Sequence, residues 1–192
     1  MAPTGVKKIS TLLAFVAAAL AIAAALLTLQ PDSTTAPGSA PAQATGLPTS
    51  GFQPTRVVIP DIDVAEPLQP VGLLPDGAME TPPYGKVGWY DEGPPPGAVG
   101  AAVIVAHVHG PQGDDVFARL HELRRRDRFS VDTTAGTVEF EVDDLIQVAK
   151  EDLPYDRMWP DTDRRLVSLI TCGGKRTASG YPLNTIVFAH AI

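Results

Sequence analysis

Residues 166–174 read LVSLITCGG, an apolar run of aliphatic and β-branched side chains that ends in two glycines. Such a run is typical of a strand buried in a sheet, and the glycines mark the turn after it. Cys172, the only cysteine of the chain, is therefore expected at the end of a strand and beside a loop. A thiol in that position can meet a substrate, whereas a buried free cysteine usually acts as a small hydrophobic side chain.

A second buried strand carries the other candidate for chemistry. Residues 101–106 (AAVIVA) are apolar throughout, and His107 follows them directly. Because His109 lies two residues further on, both imidazoles are expected on one face of this strand. Two hypotheses stay open here. His107 is either a general acid and base that works with Cys172, or it forms with His109 two ligands of a metal site.

Short β-type segments recur along the chain with turn residues between them. They are residues 56–59, 101–108, 128–133, 137–142, 145–149, 166–171 and 184–191. Many short strands favour a sandwich or a barrel, so the sequence predicts an all-β fold. Within 137–142, apolar and acidic residues alternate, which indicates a strand with one buried face.

One helix is predicted after the N-terminal region. Asp114 or Asp115 can cap its first turn, and an apolar stripe at helical spacing follows. The stripe consists of Val116, Phe117, Leu120 and Leu123. Packing of this stripe onto the barrel is its expected role. Between residues 54 and 96, frequent prolines predict only brief pieces of regular structure.

The N-terminal region has the composition of a membrane anchor. Residues 9–29 contain no charge, and as a helix they would be about 31 Å long, which is the thickness of a bilayer's apolar core. Because Lys7 and Lys8 precede them, residues 1–8 are expected in the cytoplasm, residues 9–30 as a transmembrane signal-anchor, and the remainder outside the cell. A cleaved signal peptide is the alternative.

Residues 31–53, rich in Pro, Ala, Ser and Thr, predict a flexible tether in front of a folded domain at 54–192. The chain has 15 Lys and Arg and 22 Asp and Glu, for a net charge of −7. Two of the basic residues precede residue 30 and no acidic residue does, so the remainder carries 13 against 22, or −9. This acidic balance argues against nucleic acid as a partner.

Taken together, these features resemble a class F sortase of the actinobacteria, over about residues 54–191. The segments that carry the resemblance are RVVIP at 56–60, DGAM at 76–79, VGWY at 87–90, PG at 96–97, His107 after its strand, VFARL at 116–120, LITCGG at 169–174 and YPLN at 181–184. The resemblance implies an eight-stranded β barrel with one or two short helices. It also implies the N-terminal transmembrane helix.

Sortases are cell-wall cysteine transpeptidases, and the resemblance implies their chemistry for this chain. The Cys172 thiolate would attack the Thr carbonyl of an LPXTG-like sorting signal at the C-terminus of a surface protein. His107 would protonate the leaving amine and then deprotonate the incoming one, from a peptidoglycan precursor or a pilin lysine. Thr171 fits the place of a group that positions or stabilises the oxyanion. No cofactor and no metal are implied, and the catalytic domain of this single-pass protein of the cell membrane would lie outside the cytoplasm.

The sequence departs from the family pattern near both candidate residues. Ala106 replaces the usual glycine before the histidine, and His109 replaces the usual aspartate two residues after it. Pro182 and Leu183 stand where Arg-Asp is frequent, so Arg176 is the only arginine after the cysteine. Arg176 either reaches the site from its loop or is a solvated surface charge. These departures motivate the alternative function, a catalytically degenerate sortase fold that acts as a binding module.

Overall fold

The computed structural model of the chain describes residues 52–178 and 180–192. These residues form one short helix, α1 (Tyr155–Met158), and ten strands. The strands are β1 (Pro54–Ile59), β2 (Val64–Val71), β3 (Val87–Tyr90), β4 (Gly100–Ala106), β5 (His109–Gly110), β6 (Gly113–Asp114), β7 (Arg128–Thr133), β8 (Gly136–Ala149), β9 (Arg165–Gly173) and β10 (Leu183–Ala191). Three 3-10 turns, at Pro60–Ile62, Leu120–Glu122 and Lys150–Asp152, connect them within the described residues.

Eight of the strands close into a barrel in the order β1-β2-β3-β4-β9-β10-β8-β7, and β5 and β6 form a separate small hairpin. Neighbouring barrel strands run antiparallel except for two parallel pairs, β2 with β3 and β4 with β9. The all-β eight-stranded barrel expected from the sequence is thus confirmed. The parallel β4–β9 pair matters most for the site, because the two strands end side by side.

The barrel interior is filled by the inward-facing side chains of each strand. In β8, Phe140 and Val142 are fully buried, as the alternating pattern predicts, and Phe140 stacks on Phe129 of β7 with ring centroids 5.3 Å apart. The two segments predicted at 137–142 and 145–149 are one continuous strand. A bulge joins them, since β10 pairs with Val142 and Asp144 and passes over Asp143. This extra residue breaks the period of two and hides the continuity of the strand in the sequence.

The sequence pattern does not predict strands β2 and β3. β2 contains Pro67 and Pro70, which cannot donate a backbone hydrogen bond and usually end a strand. It nevertheless pairs with β1 on one side and runs parallel to β3 on the other, for example Leu68 opposite Val87. Long-range pairing therefore forms a strand where local propensity predicts none.

The helix predicted from residue 114 or 115 to 123 is wrong. The segment consists of turns and the 3-10 turn Leu120–Glu122, with hydrogen bonds between residues three apart, although Phe117, Leu120 and Leu123 are buried as expected. The physical reason lies at its start. The amides of Asp115 and Phe117 bond to the carbonyls of Val108 and His107, which fixes the segment against the end of β4.

The predicted anchor at 9–30 and nearly all of the tether at 31–53 fall outside the described residues. Among the residues that the structure describes, no helix is long and apolar enough to cross a bilayer.

Candidate active site

Two adjacent parallel strands position the candidate cysteine and histidine. β4 pairs with β9 from Gly100 opposite Arg165 to Val105 opposite Ile170. Continuing this register by two residues brings His107, directly after β4, level with Cys172 in β9. On its other side Cys172 pairs with Asn184 of β10. Residues 65 positions apart in the sequence therefore meet at one end of the barrel.

A buried hydroxyl ties these two strand ends together. Thr171 is almost fully buried, and its Oγ1 donates a hydrogen bond of 2.7 Å to the carbonyl of Ala106. A threonine hydroxyl has a single proton to donate, so in this arrangement the proton is committed to Ala106 and cannot also bond an oxyanion. The bond joins the residues just before His107 and Cys172, and the positioning role of Thr171 stays a prediction.

A groove of about 790 Å³ opens in front of Cys172 and His107. Its walls are mainly apolar and include Met79, Val105, Leu153, Met158 and Trp159. Such a volume and lining are typical of a site for a peptide or a small molecule. The half-buried Cys172 also borders a smaller cavity of about 240 Å³, beside His121, Gln147 and Thr185.

The charges of the groove are unevenly placed. Glu80 and Glu92 lie in its wall, and Lys150 is the one cation among the described residues that line it. Tyr90, also in the wall, has its pKa raised by partial desolvation and by the nearby carboxylates of Glu92 and Asp91, so the phenol keeps its proton.

The imidazole of His107 is held by a loop that precedes β3. Its Nε2 lies 2.9 Å from the carbonyl oxygen of Pro82, and the ring of Tyr84 packs on it with centroids 4.5 Å apart. A carbonyl only accepts hydrogen bonds, so Nε2 carries a proton and the neutral ring has its lone pair on Nδ1. Among the described residues, no hydrogen bond joins His107 to Cys172. The sequence reasoning missed Pro82 and Tyr84, because a proline-rich loop gives no local sign of its partner.

His109 does not share a strand face with His107. β4 ends at Ala106, and His109 begins the hairpin strand β5, where its Nδ1 lies 3.8 Å from a carboxylate oxygen of Asp114. The chain bends at Val108, between the end of β4 and the start of β5. No three His, Cys, Asp or Glu side chains within residues 52–178 and 180–192 are grouped to hold a metal ion. The metal hypothesis based on the two histidines therefore has no ligand set in this region.

Arg176 lies in the loop between β9 and β10, exposed to solvent, and is not among the residues that line either cavity at Cys172. Lys150 lines the groove instead. Ala149 of β8 pairs with Leu183 of β10, and Leu183 pairs with Gly173 at the end of β9. Lys150 directly follows Ala149, so its backbone lies about two strands away from the end of β9. Two strand spacings are about 10 Å, a gap that a lysine side chain partly bridges. No sequence pattern marks Lys150 as a site residue.

The Sortase domain family model matches residues 57–192, which is most of the chain. The chain belongs to the sortase family. No curated protein sequence matches it significantly. The family accounts for the barrel and supports a sortase-type cysteine transpeptidase.

Solved sortase structures share the fold of this chain at low sequence identity. A lid mutant of sortase A from Corynebacterium diphtheriae is 22% identical with a TM-score of 0.58, over 72% of this chain and 69% of that chain. Sortase C-1 from Actinomyces oris is 24% identical with a TM-score of 0.56, over 72% of this chain and 73% of that chain. The pilus-related sortase C of Group B Streptococcus is 19% identical with a TM-score of 0.57, over 73% and 67%. These neighbours belong to classes A and C, and at such identities they show the fold alone.

The residue after the cysteine has to be glycine for β9 and β10 to pair closely. A Cβ atom on Gly173 would collide with Thr185 Oγ1 and lie 3.1 Å from the Thr185 backbone nitrogen. Thr185 is itself buried and accepts a hydrogen bond of 3.0 Å from Gln147, so it cannot move freely. We therefore expect Gly173→Ala to lower the free energy of unfolding by about 1–3 kcal/mol.

Chemical denaturation of the Gly173→Ala and Gly113→Ala variants measures this effect. Gly113 is a suitable contrast because nothing lies within 4 Å of its Cβ position. Any loss of stability in Gly113→Ala therefore reflects the backbone strain of a side chain at φ +125°, without a collision. A Gly173 variant as stable as the parent chain would show that the strand pair has room for a side chain.

Proposed function

We propose that the chain is a membrane-anchored, class F-like sortase of actinobacterial type. It cleaves an LPXTG-like sorting signal through a thioester on Cys172 and transfers the acyl group to a cell-wall amine. The observation that carries the proposal is the convergence of Cys172 and His107, at the ends of adjacent parallel strands, on one groove of about 790 Å³. The Thr171–Ala106 hydrogen bond holds that convergence in register.

The chemistry takes place in two steps. In the first, His107 takes the proton of the Cys172 thiol, the thiolate forms an S–C bond with the Thr carbonyl carbon, the C–N bond to the next residue breaks, and His107 delivers that proton to the leaving amine. In the second, His107 takes a proton from the incoming amine, whose nitrogen forms the new amide bond as the thiolate leaves. An imidazole suits both steps because it gives and takes a proton near neutral pH.

The groove supports a sorting peptide as the acyl donor. An LPXTG-like signal presents leucine and proline side chains before the scissile bond, and the wall offers Met158, Trp159 and Leu153 to bury them. The acceptor is an amine of a peptidoglycan precursor or of a pilin lysine.

The oxyanion of each tetrahedral intermediate needs a positive partner, and two cations are candidates. Lys150 lines the groove, whereas Arg176 is exposed on the β9–β10 loop. A charge aimed at the developing oxyanion acts in the transition state, so its loss lowers the rate more than the binding. We expect Lys150→Met to slow acylation about tenfold or more, and Arg176→Met to change it by less than about threefold.

Each of the two substitutions removes one positive charge and leaves an unbranched side chain in its place. Acylation rates at saturating peptide compare them directly. The opposite ranking would return the role to Arg176, and two unaffected variants would show that neither cation stabilises the oxyanion.

Residues 9–30 support the anchoring part of the proposal, because residues 9–29 are mostly apolar and uncharged over 21 positions and follow Lys7 and Lys8. We propose a single-pass protein of the cell membrane with its catalytic domain outside the cytoplasm. Retention of the chain in membranes after alkaline carbonate extraction is the expected result. Release of a shortened chain into the medium would indicate a cleaved signal peptide.

Transfer to an amine tests the function as a whole. The full chain in mild detergent is incubated with an LPXTG-type peptide and triglycine, and the products are separated by chromatography and identified by mass. The expected products are the C-terminal fragment of the peptide and a new peptide in which triglycine replaces it. Absence of both products with every sorting peptide, combined with saturable peptide binding, would favour the degenerate binding module.

A further inference from the structure

We propose that Asp115 is a positioning residue for His107 and acts through the loop of residues 82–85. This inference rests on the proposed function, since it concerns the imidazole that would act as acid and base. Asp115 does not contact His107 through any hydrogen bond of the described residues. It holds the loop that does.

The loop contacts His107 at two places. The carbonyl of buried Pro82 accepts the Nε2 proton over 2.9 Å, and the ring of Tyr84 covers the imidazole at 4.5 Å with an interplanar angle of 39°. The hydrogen bond fixes the neutral tautomer, and the ring contact limits rotation of the imidazole. Together they determine that Nδ1 is the nitrogen left to accept a proton.

Asp115 anchors that loop through its carboxylate. The amide of Gly85, next to Tyr84, donates to both carboxylate oxygens, over 3.0 Å to Oδ1 and 3.2 Å to Oδ2. Oδ1 also accepts the amide of Val116 at 2.7 Å. No ion pair involves Asp115 among the described residues, so its negative charge is directed to these backbone amides. Hydrogen bonds to an ionised acceptor are about twice as strong as neutral ones.

The backbone of the same segment is fixed to the strand end that bears the histidine. The amide of Asp115 donates to the carbonyl of Val108 over 3.2 Å, and the amide of Phe117 donates to the carbonyl of His107 over 3.0 Å. Asp115 thus bridges the loop of residues 82–85 and the residues around His107. A shift of its carboxylate would move Pro82 and Tyr84 relative to the imidazole.

The hairpin passes close to this bridge at Gly110. A Cβ atom on Gly110 would lie 2.8 Å from Asp115 Oδ2 and 3.3 Å from Tyr84 Cδ1. The hairpin therefore runs close to both the carboxylate and the aromatic ring, and a side chain at residue 110 would displace one of them. The position of Asp115 reaches Tyr84, and hence His107, through the hydrogen bonds to the Gly85 amide.

Asp115→Ala is the decisive variant, and Asp114→Ala is its matched control. The neighbouring Asp114 side chain is 88% exposed and faces His109, so its loss removes the same charge without touching the loop. With Asp115→Ala, the acylation rate at saturating peptide is expected to fall at least about tenfold while KM changes by less than about threefold. With Asp114→Ala, both quantities are expected to stay within about twofold of the parent chain.

The tautomer of His107 gives a readout that a merely structural role would not move. Heteronuclear NMR of the imidazole nitrogens, on the full chain in detergent micelles above the pKa of histidine, distinguishes a protonated Nε2 from a protonated Nδ1. The parent chain is expected to show the Nε2–H form at His107, assigned with His107→Gln. Asp115→Ala is expected to show a mixture of both forms.

Asp115→Asn completes the test, because it keeps one acceptor oxygen for Gly85 and Val116 but loses the charge. Its acylation rate and its share of the Nε2–H form are expected to lie between those of the parent chain and of Asp115→Ala. If thermal unfolding shows that Asp115→Ala does not fold, Asp115→Asn is compared with Asp114→Ala in its place. An unchanged tautomer, with rates equal to those of Asp114→Ala, would overturn the proposal. A parent chain that never acylates would overturn the proposed function instead. The tautomer comparison would still decide whether Asp115 fixes the imidazole of His107.

Discussion

Replacing Cys172 by alanine is expected to abolish peptide cleavage and transfer completely. The sulfur is the atom that forms the bond to the substrate carbonyl, and Cys172 is the only cysteine of the chain. Chromatographic turnover of an LPXTG-type peptide measures the loss. Binding of the same peptide, measured by titration calorimetry, is expected to change by less than about threefold, because the apolar side chains that would bury the peptide are untouched.

The Cys172→Ala variant is expected to fold normally. Cys172 is only half-buried and its thiol has no hydrogen-bond partner among residues 52–178 and 180–192, so loss of one sulfur atom removes little packing. Cys172→Ser is the matched control for size. It keeps a hydroxyl of similar shape but a far higher pKa, so it too is expected to be inactive. Turnover that survives in either variant would remove Cys172 from the chemistry.

The second large effect is expected at His107. Replacing it by alanine removes the group that protonates the leaving amine and deprotonates the incoming one, and we expect turnover to fall about a hundredfold to ten-thousandfold. Steady-state kinetics measure this as a loss in kcat with little change in KM. Added imidazole is expected to recover part of the rate, because the alanine variant leaves a space between Pro82, Tyr84 and the groove.

His107→Gln separates the acid–base role from the structural one. The glutamine amide can still donate to the Pro82 carbonyl, yet it cannot exchange a proton near neutral pH. It is therefore expected to preserve the loop and still lose the rate, without recovery by imidazole. A glutamine variant within about threefold of the parent rate would contradict the acid–base role and leave His107 with a structural one.

The strands that carry the candidate residues could be predicted from the sequence, and the connections between them could not. β4 and β9 are continuous apolar runs, so their burial and the positions of His107 and Cys172 at their ends follow from local pattern. Their parallel pairing is a long-range property that no local pattern contains. The Thr171–Ala106 hydrogen bond follows from that pairing, and the proximity of Lys150 follows from the equally long-range pairing of β10 with β8 and β9.

Other failures of prediction have the same physical origin. β2 forms despite two prolines because β1 and β3 provide pairing partners, and the helix expected at 114–123 is replaced by turns because its first amides bond to the end of β4. The loop that holds His107 is rich in proline and gives no periodic signal at all. Tertiary contacts outweigh local propensity at each of these places.

The central claim is that Cys172 forms the acyl-enzyme. Intact-mass analysis of the full chain incubated with an LPXTG-type peptide tests it most directly, followed by peptide mapping of the adduct. The account predicts a mass increase equal to the peptide's N-terminal fragment up to threonine, located on Cys172 and absent in Cys172→Ala. An unmodified chain that nevertheless binds the peptide, or an adduct on another residue, would contradict it.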